Sequence, residues 1–120
     1  MTADTELLPG VTMTALGRGP DHLGGRLRFA PDCPFFEGHF PGHPVLPAVA
    51  QLKLVLQICR RELGLGRSPR GIPRTKFAAP IEPGSEVCFL ITARRGRPEV
   101  KWRFTRGQAV VASGVFLLER

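Results

Sequence analysis

The sequence predicts an α+β fold, in which an antiparallel sheet of about five or six strands wraps around one long central helix. Three observations support this class. One proline-free run in the middle of the chain has the composition of a helix, stretches of strand character flank it on both sides, and turn residues separate these stretches. A chain of 120 residues with 42% apolar content is expected to form a single domain spanning residues 1–120.

Two strands are predicted before residue 30. A short apolar segment around Val11 to Leu16 and the alternating stretch GRLRFA are separated by the turn-rich stretch GRGPDHLGG. Residues 31–47 then hold five prolines and two glycines. Because proline lacks the amide donor that a helix interior or a sheet ladder requires, this segment is predicted to be a rigid loop.

The central helix is predicted from Ala48 to Leu63, with Pro47 at its first helical position and Gly64 as its stop signal. Apolar side chains cover most of its circumference, so such a helix must be enclosed by other structure. The remaining positions form one narrow polar stripe, which consists of Lys53, Gln57, Arg60 and Arg61.

Four strand-like stretches follow the helix and are predicted to form an antiparallel meander. They read IPRTKFAAPI, SEVCFLITARR, EVKWRFTR and AVVASGVFLLE, and the turn sequences EPG, RGRP and RGQ separate them.

The composition limits the function classes. The net charge of +7 comes mostly from arginine, yet the chain has no tyrosine, only Trp102 as tryptophan, and no stretch with aromatic residues among basic ones. A nucleic-acid partner is therefore not expected, whereas an acidic protein or a phosphorylated ligand suits the charge. The odd number and wide spacing of Cys33, Cys59 and Cys88 predict reduced thiols. No signal sequence or membrane span is recognised, so a cytoplasmic protein without membrane contact is expected.

Two motifs carry a resemblance to a known family. The stretch FFEGHFPGHPVLPAVAQL is close to the pattern F-x-G-H-F-P-x-x-P-x-x-P-G-V, and TKFAAPIEPGSEVCFLI is similar to K-F-x-x-P-V-x-P-G-D. With these motifs, which span residues 35 to 91, the sequence resembles the β-hydroxyacyl-acyl-carrier-protein dehydratases and their aryl-polyene-pathway relatives. The resemblance implies the hot-dog fold and a lyase that dehydrates 3-hydroxyacyl thioesters of acyl carrier protein, in fatty acid or polyene-type biosynthesis.

The resemblance also implies roles for particular residues. His39 falls on the histidine that removes the α-proton of the thioester, and Gln57 falls on the family's helical glutamine. The family's helical acid, fourteen positions after that histidine, falls on Lys53, and the glycine after the last motif proline falls on Ala48. Lys53 and Ala48 thus depart from the family pattern.

The chemistry of the residues themselves supports the same site. The imidazole of His39 is partly unprotonated near neutral pH, which suits a general base. No Ser, Thr, Asp or Asn stands just before the helix, so the first amides, near Ala48 and Val49, are free to hold a thioester carbonyl. Phe36 and Phe40 are expected to line an acyl slot.

The role of Lys53 stays open at this point. It acts as a proton donor if it faces the pocket, and it extends into solvent if the polar stripe is exposed. Alternatively, Glu37 or another acid serves the hydroxyl group, or the dehydration step is impaired. A subunit that binds the acyl carrier and needs a partner is therefore a competing hypothesis. A hot-dog thioesterase is another, but Glu62 is the only acid on the helix.

Partners and cofactors follow from the same reasoning. Hot-dog sheets resemble one another in pairing edge to edge, which implies a homodimer or a heterodimer with a second hot-dog protein that carries the missing carboxylate. The arginine excess fits the docking of an acidic acyl carrier protein. No cofactor is expected. A metal site at His39 and His43 is not expected either, because the intervening proline and glycine prevent the helix that a shared face requires.

Overall fold

Seven strands and one long helix make up the described part of the protein. The structure is a computed structural model, and it describes residues 4–36, 44–64, 69–94 and 96–118. In chain order the elements are β1 (Asp4–Leu8), β2 (Val11–Arg18), β3 (His22–Phe29), a 3-10 turn (Pro34–Phe36), α1 (Ala48–Glu62), β4 (Pro69–Phe77), β5 (Glu86–Ala93), β6 (Glu99–Arg106) and β7 (Ala109–Leu118).

The seven strands form one sheet in the order β1-β2-β3-β5-β6-β7-β4, and every neighbouring pair is antiparallel. This confirms the predicted α+β class, but the predicted count of five or six strands was too low. The strand that the sequence did not reveal is β1, in which Leu7 is the single fully buried residue. Such a polar edge strand has little of the apolar alternation by which strands are recognised.

The strand after the helix also differs from the prediction. The meander β5-β6-β7 is confirmed, whereas β4 pairs with β7 at the far edge of the sheet and not with β5. The connection from β4 to β5 contains Pro80 and Pro83, which cannot donate to a ladder, and Ile81 within it is fully buried. This connection therefore crosses the core instead of closing a hairpin.

Strand alternation gives the sheet two different faces. In β5 and β6 every second side chain is buried, and these side chains share one hydrophobic core with α1. The buried set consists of Val87, Phe89, Ile91, Val100, Trp102 and Phe104. We call this the inner face of the sheet, and the opposite, solvent-exposed side the outer face.

The helix is buried on one side only. Its buried residues are Ala50, Gln51, Leu54, Val55, Ile58 and Cys59. The predicted polar stripe lies on the other side, where Lys53, Arg60 and Arg61 are exposed and Gln57 is half-buried. The expectation of a fully enclosed helix was therefore wrong for the single chain. Within the described residues, no helix is long and apolar enough to cross a membrane.

The ends of α1 lie close to their predicted positions. Pro47 is the residue before the first helical turn, with ψ of 150°, so its predicted place inside the helix was wrong by one position. At the other end, the amide of Leu63 donates to the carbonyl of Cys59 at 3.0 Å. Gly64 follows with φ of 66°, a left-handed conformation that glycine adopts without strain.

The three thiols should differ in reactivity. Cys33 and Cys59 are buried and Cys88 is exposed on the outer face. Burial raises the pKa of the Cys59 thiol from 9.0 to about 12, so its reactive thiolate forms only as the pH approaches that value. We expect iodoacetamide at about pH 8 to alkylate Cys88 alone in the folded protein. Peptide mass spectrometry checks this, and equal labelling of Cys59 would contradict it.

Candidate active site

The start of α1 is tied to the core through the residue two positions before it. Leu46 is buried, and its amide donates to the carbonyl of Ile81 at 2.8 Å. The carbonyl of Pro47 then accepts the amides of Ala50 and Gln51, at 3.1 and 3.2 Å. These bonds fix the position and direction of the first helical turn relative to the β4–β5 connection.

The first two amides of the helix take no part in these bonds. Pro47 makes no side-chain capping bond, and the amides of Ala48 and Val49 have no acceptor among the residues that the structure describes. Both residues are exposed, and Val49 is 71% exposed although it is apolar. The uncapped helix start predicted from the sequence is therefore present, and the helix dipole adds positive potential there.

Lys53 and Gln57 lie on the same side of α1 as Val49, because residues four apart share a helix face. Lys53 is exposed and Gln57 is half-buried. Lys53 is thus not enclosed in a cavity of the described part of this chain. Long side chains on a helix generally lean toward its N-terminus, so we expect the ammonium group of Lys53 to extend toward the turn that carries the free amides.

Gln51 was missed by the sequence reasoning, which singled out Gln57 instead. It is the one buried polar residue of the described chain, at 3% exposure. Its Nε2 donates to the carbonyl of Leu46 at 3.3 Å, while its Oε1 has no partner among the described residues. The available signal was its place on the apolar side of the helix, within the first motif.

Two further buried polar atoms belong to Thr75, the first residue of the second motif, and to Trp102. Thr75 on β4 and Trp102 on β6 both stand opposite Gly114 on β7, so the three residues form one row on the inner face. Neither Thr75 Oγ1 nor Trp102 Nε1 has a hydrogen-bond partner within the described ranges. The indole lies over Gly114, where an added Cβ would come within 2.7 Å of Nε1. Buried polar atoms without partners are uncommon, and here two of them lie in one row across β4, β7 and β6.

Of the two phenylalanines predicted to line an acyl slot, the structure describes Phe36 but not Phe40. Phe36 is 6% exposed and packs edge-to-face on Phe29, with ring centroids 6.4 Å apart. It has the surroundings of a core residue, and its contact with an acyl chain stays a prediction. His39 and Phe40 lie outside the described residues, as do Glu37 and His43.

Comparison with known proteins gives a family match over most of the chain. Residues 18–115 match the family model described as ApeI-like, ApeI dehydratase. A 3-hydroxyacyl-[acyl-carrier-protein] dehydratase FabZ from Verminephrobacter eiseniae is 35% identical over 96 residues, which cover 68% of this chain and 60% of that relative. A FabZ from Gluconobacter oxydans is 34% identical over 80 residues, or 59% of this chain and 47% of that relative. The chain thus spans about half to three fifths of the length of these two relatives.

Solved structures share the fold. The dehydratase heterocomplex ApeI:P from Xenorhabdus doucetiae contains a chain that superposes with a TM-score of 0.82 and 24% identity, covering 100% of this chain and 99% of that one. Zebra fish thioesterase superfamily member 2 gives a TM-score of 0.61 at 14% identity, over 89% of this chain and 78% of that one. These likenesses confirm the hot-dog fold predicted from the motifs. Because the two neighbours differ in activity by name, the fold alone does not decide the reaction.

Proposed function

The chain belongs to the ApeI-like dehydratase family, and from that premise we propose that it dehydrates 3-hydroxyacyl thioesters carried on acyl carrier protein. The names of the FabZ relatives support this substrate class, and we propose that the reaction serves fatty acid or polyene-type biosynthesis. The observation that carries the proposal is the uncapped start of α1, exposed at Ala48 and Val49 within the first motif.

The first half of the proposed reaction is removal of the α-proton. His39 takes this proton, and the electrons of the C–H bond move toward the thioester carbonyl, whose oxygen becomes negatively charged. The free amides of Ala48 and Val49, aided by the helix dipole, stabilise that oxygen. Ala48 retains its backbone N–H, so the replacement of the family's glycine leaves the donor in place.

The second half is departure of the β-hydroxyl group. The C–O bond breaks, the α,β double bond forms, and the hydroxyl must gain a proton to leave as water. We assign the donation of that proton to the ammonium group of Lys53, which replaces the family's helical acid. Lys53 lies one helical turn after the free amides, and long helical side chains generally lean toward the N-terminus, which favours this role.

A second candidate is favoured by the exposure of Lys53. In this alternative the chain is one subunit of a hetero-oligomeric dehydratase, and the partner's carboxylate serves the hydroxyl group. The exposed and apolar Val49 beside Lys53 is suited to contact with a second hot-dog subunit. The structural neighbour ApeI:P is by name such a heterocomplex.

The proposed reaction is tested by incubating the purified chain with a 3-hydroxyacyl carrier protein and measuring the enoyl product by mass spectrometry. We expect turnover by the chain alone, and we expect Lys53→Ala to lower the rate about 100-fold, the lower end of the range for a general-acid contribution. Arg60→Ala is the matched control, since it removes one positive charge from the same exposed stripe and should leave the rate unchanged.

Two results would contradict parts of the proposal and favour an alternative function. No turnover by the chain alone, with turnover when a second hot-dog subunit is added and no effect of Lys53→Ala, would contradict the role of Lys53 and favour the hetero-oligomer. Release of free carrier thiol without enoyl product would contradict dehydration itself and favour a thioesterase.

A further inference from the structure

The outer face of the sheet carries a basic trough that the acyl site does not use. A groove of about 700 Å³ lies over β4, β7, β6 and β5, on the side of the sheet opposite to α1. Among the described residues that line it, every charged one is basic, and none is Asp or Glu. The basic residues are Arg74, Lys76, Lys101 and Arg103.

Strand register arranges these cations in two walls. Arg74 and Lys76 lie on β4, two residues apart and therefore on the same face, and they are paired with Val115 and Ser113 of β7. The same two residues of β7 are paired on their other side with Lys101 and Arg103 of β6. We call the space between these walls the trough. Its floor is the β7 segment Ser113–Val115, which has small side chains.

The dimensions of the trough follow from sheet geometry. Cations on one wall are separated by two residues, about 6.8 Å, and the two walls by two strand spacings, about 9.5 Å. The separation along one wall is thus within the Debye length at physiological salt, about 8 Å, and the separation between the walls is slightly larger than that length. Cations this close repel one another, and an anionic ligand between the walls relieves that repulsion.

The trough cations are free to receive such a ligand. None of the four makes an ion pair or a side-chain hydrogen bond with any residue in the described ranges. The other basic pair of the outer face differs, since Arg26 and Arg28 both contact Glu86, at 3.7 and 3.6 Å. Basic charge is therefore partly balanced by Glu86 near β3 and unbalanced along the trough.

The shape selects among anionic ligands. A helix with its side chains is about 10–12 Å across, wider than the trough, whereas an extended chain fits between the walls. Single-stranded nucleic acid relies on exposed aromatic rings for stacking, but the one aromatic side chain among the described lining residues, Trp102, is 3% exposed. In an extended peptide successive side chains point to opposite sides, so consecutive acidic residues reach the two walls alternately, with the spacing of the cations on each wall.

We propose that the trough is a docking surface for an extended polypeptide segment with four consecutive acidic residues. Each carboxylate then meets one cation, two on the β4 wall and two on the β6 wall. This surface is on the opposite face of the sheet from the helix start, and its occupation does not depend on the dehydration reaction.

The test is a binding assay with a fluorescein-labelled Gly/Ser peptide that contains four consecutive glutamates, followed by fluorescence anisotropy. Arg74→Gln/Lys76→Gln and Lys101→Gln/Arg103→Gln each remove one wall, and we expect each to weaken binding about fivefold from the loss of two surface ion pairs. Arg26→Gln/Arg28→Gln removes the same charge from the same face outside the trough, and it should change the affinity less than about twofold.

Two further probes make the result specific. Ser113→Glu keeps all four cations but places a carboxylate on the floor, and it should weaken binding as much as the loss of a wall. A peptide with the same four glutamates spaced by three Gly/Ser residues should also bind about fivefold more weakly. Circular dichroism melting of each variant separates lost binding from lost folding.

Three outcomes overturn the proposal. One is an equal loss in the Arg26/Arg28 variant, which indicates diffuse charge attraction. Another is equal affinity for the spaced peptide, and the third is tighter, wall-dependent binding of an oligothymidine, which assigns the trough to single-stranded nucleic acid. None of these outcomes depends on enoyl formation, so the proposal fails or stands separately from the dehydratase function.

Discussion

Replacing His39 with alanine is expected to lower the rate of enoyl formation about 1000-fold, in the middle of the range for loss of a positioned general base. The reason is chemical. The α-proton of a thioester is weakly acidic, so its removal requires a positioned base, and of the two histidines of the first motif His39 is the one that the resemblance aligns with the family's base. The rate is measured on a 3-hydroxyacyl carrier protein, under the conditions used for the unmodified chain.

The control for this variant is His22→Ala. His22 is also a histidine, but it is exposed at the beginning of β3 and pairs with Thr92 on the outer face. It should therefore leave the rate unchanged. A His39→Ala protein that retains its melting temperature and most of its turnover would remove the base from the proposed reaction. Equal losses in the two variants would instead indicate damage to the fold.

Replacing Gly25 with alanine is expected to destabilise the protein by about 3 kcal/mol, the upper range for inserting a methyl group into a packed core. Gly25 is buried in β3 between Ala15 of β2 and Phe89 of β5. A Cβ at this position would collide with the backbone oxygen of Thr14 and come within 2.7 Å of the Phe89 ring. The backbone oxygen belongs to the β2 ladder, so it cannot move without disturbing the sheet.

The adjacent glycine provides the matched control. A Cβ on Gly24 would meet the carbonyl oxygen of Phe89 at 3.6 Å and a methyl group of Leu90 at 3.8 Å, which are ordinary contacts. Gly24→Ala should therefore change the stability by no more than about 1 kcal/mol, and alanine's smaller entropy loss favours a gain. Urea unfolding measures both variants. Similar midpoints for the two proteins would be evidence against close packing of the Phe89 ring on β3.

The two stability variants also bear on the candidate site. Phe89 belongs to the inner face, which shares its core with the buried side of α1. A shift of the Phe89 ring therefore disturbs the support of the helix, and with it the position of the free amides. We attribute the fixed position of the first turn of α1 to this packing and to the hydrogen bond between Leu46 and Ile81.

Local patterns in the sequence determined several parts of this protein. The helix is recognisable because a run of helix-forming residues lies between proline and glycine, signals that act within a few residues of the helix ends. Strands β2, β3, β5, β6 and β7 are recognisable from turn signals and apolar content. The motif around His39 and the absence of a capping side chain before Ala48 are also properties of short segments.

Only the tertiary structure decided the remainder. Strand β1 is polar, and its pairing with β2 identifies it as a strand. Strand β4 pairs with β7 and not with β5, because strand pairing depends on how all the strands of the sheet pack together. The exposure of Lys53, the burial of Gln51 and the alignment of the trough cations depend on which face each element turns toward the core. The physical reason is range: propensities and turns act between near neighbours in the chain, whereas register, facing and burial are set by contacts between residues far apart in it.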